Sequence, residues 1–322
     1  MKVLSHTAVG KAHGKIILVG EHAVVHNEPA IAIPFTSATV EVTVERTLGL
    51  STMDSIYHCG KLTEAPSKIK NLVTTFKAVC DYFNLKDESF HINITSNIPA
   101  ERGMGSSAAV ATALVRALFN YFDTDLNEEL LFRFVSISEK IAHGNPSGLD
   151  AKVVSSDVAI YFVKGEDTEP FEMDLPAYLV VADTGDEGDT LSAVATVGKL
   201  LNDQTTNGQQ LVHELGDLTD ESRKLIETKN VKQLGAILDK AQERLRELMV
   251  SNDKLDTLVK AAKQHGALGA KLTGGGRGGC MITLVEKAEQ AYEMAEHLMQ
   301  AGATETWIHP LGVKEQEELL LD

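Results

Sequence analysis

Asp150 follows Glu139 by 11 residues, and Gly144-Asn-Pro-Ser-Gly148 between them can turn the chain back so that the two carboxylates converge. One carboxylate of such a pair can hold Mg2+, a hard cation served by a few oxygen ligands. The other can take a proton from an attacking alcohol. Each also has an ordinary reading, Glu139 as a surface glutamate and Asp150 as a helix cap. A second segment, Pro99-Ala-Glu-Arg-Gly103-Met-Gly105-Ser-Ser-Ala-Ala109, supplies the phosphate chemistry that a carboxylate pair lacks. Its glycines let the backbone approach a ligand closely. The helix predicted to start there presents unpaired N–H groups and a positive dipole end. Ser106 and Ser107 add hydroxyls for phosphate oxygens or Mg2+. A plain capped turn, with Ser106 as N-cap, is the alternative. A dinucleotide fingerprint is another, since Gly103-x-Gly105-x-x-Ala108 is followed by Asp123 and Asp125. The preceding His91-Ile-Asn-Ile-Thr-Ser is half polar, which disfavours a central parallel strand.

Two further segments carry charged or glycine-rich ends. Lys15-Ile-Ile-Leu-Val-Gly20-Glu21-His22-Ala-Val-Val-His26 is an apolar strand ending in Gly-Glu-His. His22 and His26 stand at helical zinc spacing, but Val24 and Val25 favour extended backbone and no third ligand is near. Alone, His22 reads as a satisfied, partly buried side chain and Lys15 as a solvated lysine. Lys271-Leu-Thr273-Gly-Gly-Gly-Arg277-Gly-Gly279-Cys280 has five glycines in six positions, which cost chain entropy and add no packing. Close approach of a ligand or of another backbone explains them. No Gly-Lys-Ser/Thr ends the run, so it is not a Walker A loop.

These segments need elements to hold them. Strand patterns fall at 15–19, 38–44, 90–95, 158–163, 178–182, 269–272, 281–285 and 305–309. Helical patterns fall at 67–83, 106–122, 127–143, 206–228, 231–249, 252–265 and 287–301. Strands followed by helices in both halves predict an α+β fold, and 322 residues suit two domains, divided as 1–178 and 179–322. A formal charge of -16 disfavours nucleic acid and anionic membrane partners. Cys59, Cys80 and Cys280 are too few and too far apart for a disulfide framework or thiolate zinc site. The first ten residues lack the apolar core of a signal peptide, and no run of about 18 apolar residues occurs. A cytoplasmic protein is expected.

Taken in order, the segments resemble the superfamily of galactokinase, homoserine kinase, mevalonate kinase and phosphomevalonate kinase (GHMP kinases), from about Gly10 to Gly279. Gly105-Ser-Ser-Ala-Ala and Thr273-Gly-Gly-Gly-Arg-Gly-Gly resemble its second and third motifs. Gly20 to Pro34 and His143 to Asp150 are similar to the mevalonate kinase family within it. The resemblance implies an N-terminal ribosomal-S5-like domain and a C-terminal ferredoxin-like one. It implies transfer of the ATP γ-phosphate to the C5 hydroxyl of mevalonate, in isoprenoid precursor synthesis, by a monomer or homodimer. Gly103, Gly105, Ser106, Ser107 and Ala108 would bind phosphates, with Ser107 and Glu139 on Mg2+. Asp150 would be the base and Lys15 would stand beside the reacting alcohol. Glu21, His22 and Thr184 would position mevalonate, and Gly274, Gly275 and Gly276 would shape the floor of the site. The chain departs from the family at His13, where proline is usual, at Arg277 within the glycines, and in the acidic stretch Asp186-Glu-Gly-Asp189, which lacks an arginine near Thr190. Phosphomevalonate kinase is the rival within the superfamily, but no Lys/Arg cluster for an extra phosphate accompanies Glu21 or Asp183. A non-catalytic nucleotide sensor is a further rival.

Overall fold

Alternating apolar residues build the first strands of the computed structural model, which describes residues 7–85, 88–144, 146–203 and 205–312. Contacts divide the chain into two compact units that interleave along the sequence. One takes residues up to 14, 38–99 and 105–157; the other takes 15–37, 100–104 and 158 onward.

Strands β1 (Thr7–Val19) and β2 (Ala30–Thr47) pair with each other. Ala38, Val40, Val42 and Val44 of β2 all point into the core, as a period of two requires. In the first unit a hairpin of β3 (Thr52–Ser55) and β4 (His58–Lys61) is followed by α1 (Lys70–Tyr82) and β5 (Ser89–Ser96). β5 runs antiparallel to β2, Val44 opposite Ile92, and parallel to β3. Helices α2 (Ser106–Tyr121), α3 (Glu128–His143) and the short α4 (Leu149–Val153) complete this unit. α1, α2 and α3 pack on one another, with Phe83 set edge-on to Phe119 and tilted against Phe122 at 4.9 and 4.5 Å between ring centres. α2 is apolar on nearly every face, with ten buried residues, so it can only be a central helix. β1 comes very close to it at Gly10, where a Cβ would lie 2.1 Å from the Ala113 carbonyl oxygen.

In the second unit, Ala30–Ala32 pairs with β6 (Ala159–Phe162), which pairs with β7 (Glu169–Phe171). β8 (Tyr178–Asp183) is followed by four helices, α5 (Thr190–Asn202), α6 (Gly208–Glu227), α7 (Val231–Glu247) and α8 (Asp253–Gln264). Then come β9 (Gly269–Leu272), β10 (Cys280–Val285), α9 (Ala288–Gln300) and β11 (Glu305–Pro310). The antiparallel sheet order β11-β8-β10-β9 is the split βαβ, ferredoxin-like arrangement. Its inner strands β8 and β10 are wholly buried, which explains their unbroken apolar runs.

Several local expectations change. Ala23–His26 is a 3-10 turn, not extended backbone, because Ala23 N–H and Val24 N–H bond back to Glu21 and Gly20. The predicted helix at 67–83 begins at Lys70, after a 3-10 turn at Ser67–Ile69. But for Lys61, the β3–β4 hairpin falls in the first 60 residues, which read as strands and turns, whereas α4, β7 and α5 have no counterpart among the predicted elements. α5 carries Thr190, Val194, Thr196 and Val197, residues of low helix propensity, and is fixed instead by Asp189, whose side chain accepts the Ser192 N–H.

Gly10→Ala is expected to lower the unfolding free energy by about 1–3 kcal/mol, since strand and helix backbones must separate. A urea midpoint shift at unchanged m-value checks it; an unchanged midpoint would show that the contact yields freely.

Candidate active site

The residues singled out by chemistry fall into two groups, one in each unit. Lys15, Glu21, His22, Gly103, Thr184 and Gly274–Gly276 belong to the second unit; Gly105, Ser106, Ser107, Ala108, Glu139 and Asp150 belong to the first.

In the second unit, β1 enters as Lys15, buried, whose N–H donates to the Met104 carbonyl oxygen at 3.0 Å. This ties the strand to the start of the glycine loop. Gly103 then meets Gly274 backbone to backbone: a Cβ on Gly274 would lie 2.6 Å from the Gly103 Cα, and both have positive φ, 79° and 81°. The glycine run is thus explained by other backbone. Gly275 abuts Thr190 and Gly276 abuts the Val250 carbonyl. Arg277, at φ 57°, is held by its own side chain, which donates to Ser192 Oγ at 2.6 Å, Thr196 Oγ1 at 2.8 Å and the Met249 carbonyl at 3.2 Å.

The end of β1 is gripped by β9 and the loop after it. Thr273 Oγ1 accepts the Ile17 N–H at 3.2 Å and donates to the Ile17 carbonyl at 2.9 Å. His22 Nε2 bonds the Gly275 carbonyl at 3.0 Å, at a backbone φ of 62°. Burial, opposed by that hydrogen bond, pushes the imidazole down to about 4, so it is neutral near pH 7. Glu21 and Lys271 form an ion pair with no exposed surface. Burial raises the Glu21 carboxyl and lowers the Lys271 ammonium, and each partner opposes the other's shift.

Thr184 is buried, and its hydroxyl donates to the Gly279 carbonyl at 2.7 Å, so toward a ligand it can serve only as an acceptor. Beside it Arg102 binds both Asp183 oxygens through Nε, at 3.0 and 3.1 Å, and the Gly185 carbonyl through NH2 at 3.0 Å. The acidic stretch directs its charges elsewhere: Asp186 pairs with Lys254 and Asp189 caps α5.

In the first unit Gly105, at φ 72°, is the N-cap of α2, and no side chain caps the helix. Ser106 is therefore the first helical residue and not the cap of the plain-turn reading. The first-turn amides of Ser106, Ser107 and Ala108 keep the donor character phosphate needs. Asn71, buried on α1, donates to Ser107 Oγ at 3.2 Å and to Ser138 Oγ at 2.9 Å. One amide thereby sets Ser107 next to the residue before Glu139. Glu139 is buried, with His143 Nε2 at 3.8 Å from its Oε2. Asp150 is in the first turn of α4, whose N-cap is Gly148, so it is not a cap. α4 packs on α2 and α3, which brings the helices bearing Ser107, Glu139 and Asp150 together. Asn145 of the preceding turn lies outside the described residues.

The Ser107 hydroxyl and the buried Glu139 carboxylate are hard oxygen donors of the kind Mg2+ accepts, with phosphate oxygens completing its shell. Among the described residues no cluster of three His, Cys, Asp or Glu could hold a metal alone.

Lys271, Arg102, Asp183 and Asn71 gain their roles only from the folded structure. A lysine inside the apolar Gly-Ala-Lys-Leu strand and an asparagine on an otherwise apolar helix face are the signals that mark two of them.

Family models for the GHMP kinase N-terminal domain and the GHMP kinase C-terminal domain match residues 70–156 and 222–303. A mevalonate kinase of Pyrococcus abyssi is 32% identical over 321 residues, covering 92% of this chain and 93% of that protein. The crystal structure of mevalonate kinase from methicillin-resistant Staphylococcus aureus is 35% identical, with a TM-score of 0.73, and covers 95% of this chain and 99% of that one. That of L. major mevalonate kinase in complex with R-mevalonate is 25% identical, with a TM-score of 0.82, over 94% of this chain and 95% of that one.

The neutral, buried His22 makes stability depend on pH. The unfolded chain takes up this proton near the ordinary value of 6.5 and the folded one only near 4, so its contribution is complete above pH 6.5 and is lost as pH falls toward 4. Relative to His22→Gln, the wild type is expected to lose roughly 3 kcal/mol across that window. Chemical unfolding of both proteins at pH 7 and 4 checks it; parallel curves would contradict it.

Proposed function

The chain belongs to the GHMP kinase family, and from that premise we propose that it transfers the γ-phosphate of ATP to the C5 hydroxyl of mevalonate. The likeness to mevalonate kinases over more than nine-tenths of the chain carries this reading, together with the matches to both family domains. The product is 5-phosphomevalonate, an isoprenoid precursor, and a cytoplasmic location belongs to the same proposal. No helix among the described residues is long and apolar enough to cross a membrane. A division into 1–178 and 179–322 belongs to the same proposal, with the family models at 70–156 and 222–303.

In this reading the C5 oxygen attacks the γ-phosphorus, the bond to the β,γ-bridging oxygen breaks, and ADP leaves. Asp150 takes the hydroxyl proton. Lys15 stabilises the negative charge developing on the alcohol oxygen. Backbone N–H groups of Gly103, Gly105, Ser106, Ser107 and Ala108 cradle the phosphates. Ser107 and Glu139 would hold Mg2+, which supplies charge neutralisation on the phosphates when bound. Glu21, His22 and Thr184 position mevalonate, over a floor formed by Gly274, Gly275 and Gly276. Transfer through a loose transition state needs such alignment more than covalent help.

ADP release is expected with Mg-ATP and mevalonate, and not with phosphomevalonate, galactose or homoserine; brisk turnover of another alcohol with none of mevalonate would reject the substrate. Asp150→Asn is expected to lower kcat by at least roughly 10²-fold. Near-wild-type kcat in the folded variant would remove Asp150 from the base role.

A further inference from the structure

Lys271 and Glu21 are a buried charge pair that the fold does not need for its connections. The same two segments are already joined by Thr273 to Ile17 and by Gly275 to His22. Replacing a buried ion pair by apolar groups of similar volume is often neutral or stabilising, so its presence asks for another reason. Glu21 supplies one. One of its oxygens takes the Lys271 ammonium, which also donates to the Leu272 carbonyl at 2.6 Å. The other oxygen is equally buried and accepts no hydrogen bond among the described residues. A dry carboxylate oxygen without a donor is costly, and a ligand hydroxyl is the group that satisfies it. Lys15 also acts electrostatically on both Glu21 and Lys271, so the pair lies within reach of the lysine assigned to the reacting alcohol.

Mevalonate offers three polar groups. Its carboxylate is repelled by a carboxylate. Its C5 hydroxyl is assigned to Asp150 and Lys15 in the reading above, on which this step rests. The tertiary C3 hydroxyl is the donor that remains. We infer that Lys271 is a positioning residue that keeps Glu21 anionic and presents its second oxygen to the C3 hydroxyl, so that the pair selects acceptors bearing that group. Without Lys271, burial favours a protonated Glu21, which no longer offers the same acceptor.

The test is steady-state kinetics of the full chain with mevalonate and with its 3-deoxy analogue, 5-hydroxy-3-methylpentanoate, for the wild type and Lys271→Met. A wild-type preference for mevalonate of at least about 10²-fold in kcat/KM is expected, compressed to within about tenfold in Lys271→Met. The mevalonate KM should rise by about tenfold or more while the ATP KM stays within about twofold. Should Lys271→Met fail to fold, the neutral double variant Glu21→Leu/Lys271→Met carries the same expectation. A folded variant of either kind that keeps the wild-type preference, or in which the ATP KM rises as much as that for mevalonate, overturns the inference alone. A wild type that turns over no mevalonate overturns the proposed function, and this inference with it.

Discussion

Thr273 and Ile17 stand 256 residues apart, yet one hydroxyl joins them by accepting the Ile17 N–H and donating to the Ile17 carbonyl. A side chain here does what a neighbouring strand would do for the end of β1. Once Ile17 is fixed, the strand delivers Glu21 beside Lys271 and His22 beside the Gly275 carbonyl. Lys271 and Gly275 hold Glu21 and His22 of the Gly-Glu-His motif, and Thr273 holds Ile17 just before it. The two motifs, widely separated in sequence, therefore form one assembly, and changes to either are felt by the other. The glycines follow from the same constraint. At Gly103 and Gly274 the backbones touch, and a Cβ on either would push the start of the Gly103–Ser107 loop off the strand that carries Lys15.

Two ion pairs of the second unit, Arg102 with Asp183 and Lys271 with Glu21, are held largely out of water. Arg102 forks onto Asp183 and adds the Gly185 carbonyl, which satisfies a guanidinium that is largely out of water. This anchors residues 100–104 to the end of β8 independently of any helix contact. At Glu21 only one of the two oxygens is satisfied by the described residues. An imperfectly paired carboxylate within an otherwise complete network is the pattern expected of a site shaped for something else to bind.

Much of this was legible in the sequence because it is local. Period-two valines gave β2, the 3.6-residue pattern gave α1 to α3 and α6 to α9, and glycines marked the loops. The kinase class was also legible, through the resemblance of the Gly20–Pro34, Gly105–Ala109, His143–Asp150 and Thr273–Gly279 segments to the family's motifs. What escaped depends on tertiary partners. Lys271 looks like an ordinary lysine until Glu21 is placed against it. Asn71 looks like a polar intrusion on an apolar helix until Ser107 and Ser138 arrive from two other helices. α5 was missed because its β-branched residues oppose a helix locally, and its first turn is secured by Asp189 and by Arg277 from the glycine loop. Val24 and Val25 misled in the opposite sense, since the bonds back to Gly20 and Glu21 outweigh their extended preference.

The acidic chain, at -16, must still receive anions. Net charge sets long-range repulsion, which salt screens within about 8–10 Å; binding at contact depends on which charges remain unneutralised locally. Asp186 is neutralised by Lys254, and the Asp189 carboxylate is directed to a helix N-terminus, where negative charge is favourable. The acidic stretch therefore presents less negative charge than its sequence suggests. Arg277 is likewise committed to hydroxyls and a carbonyl, and so replaces a glycine without adding a loose cation to the loop. His22, kept neutral, adds none either. The positive elements proposed for the reacting oxygens are Lys15 and backbone N–H groups. Such a site gains selectivity from position more than from total charge, because a fixed amide or a single buried lysine stabilises charge only where charge appears during transfer.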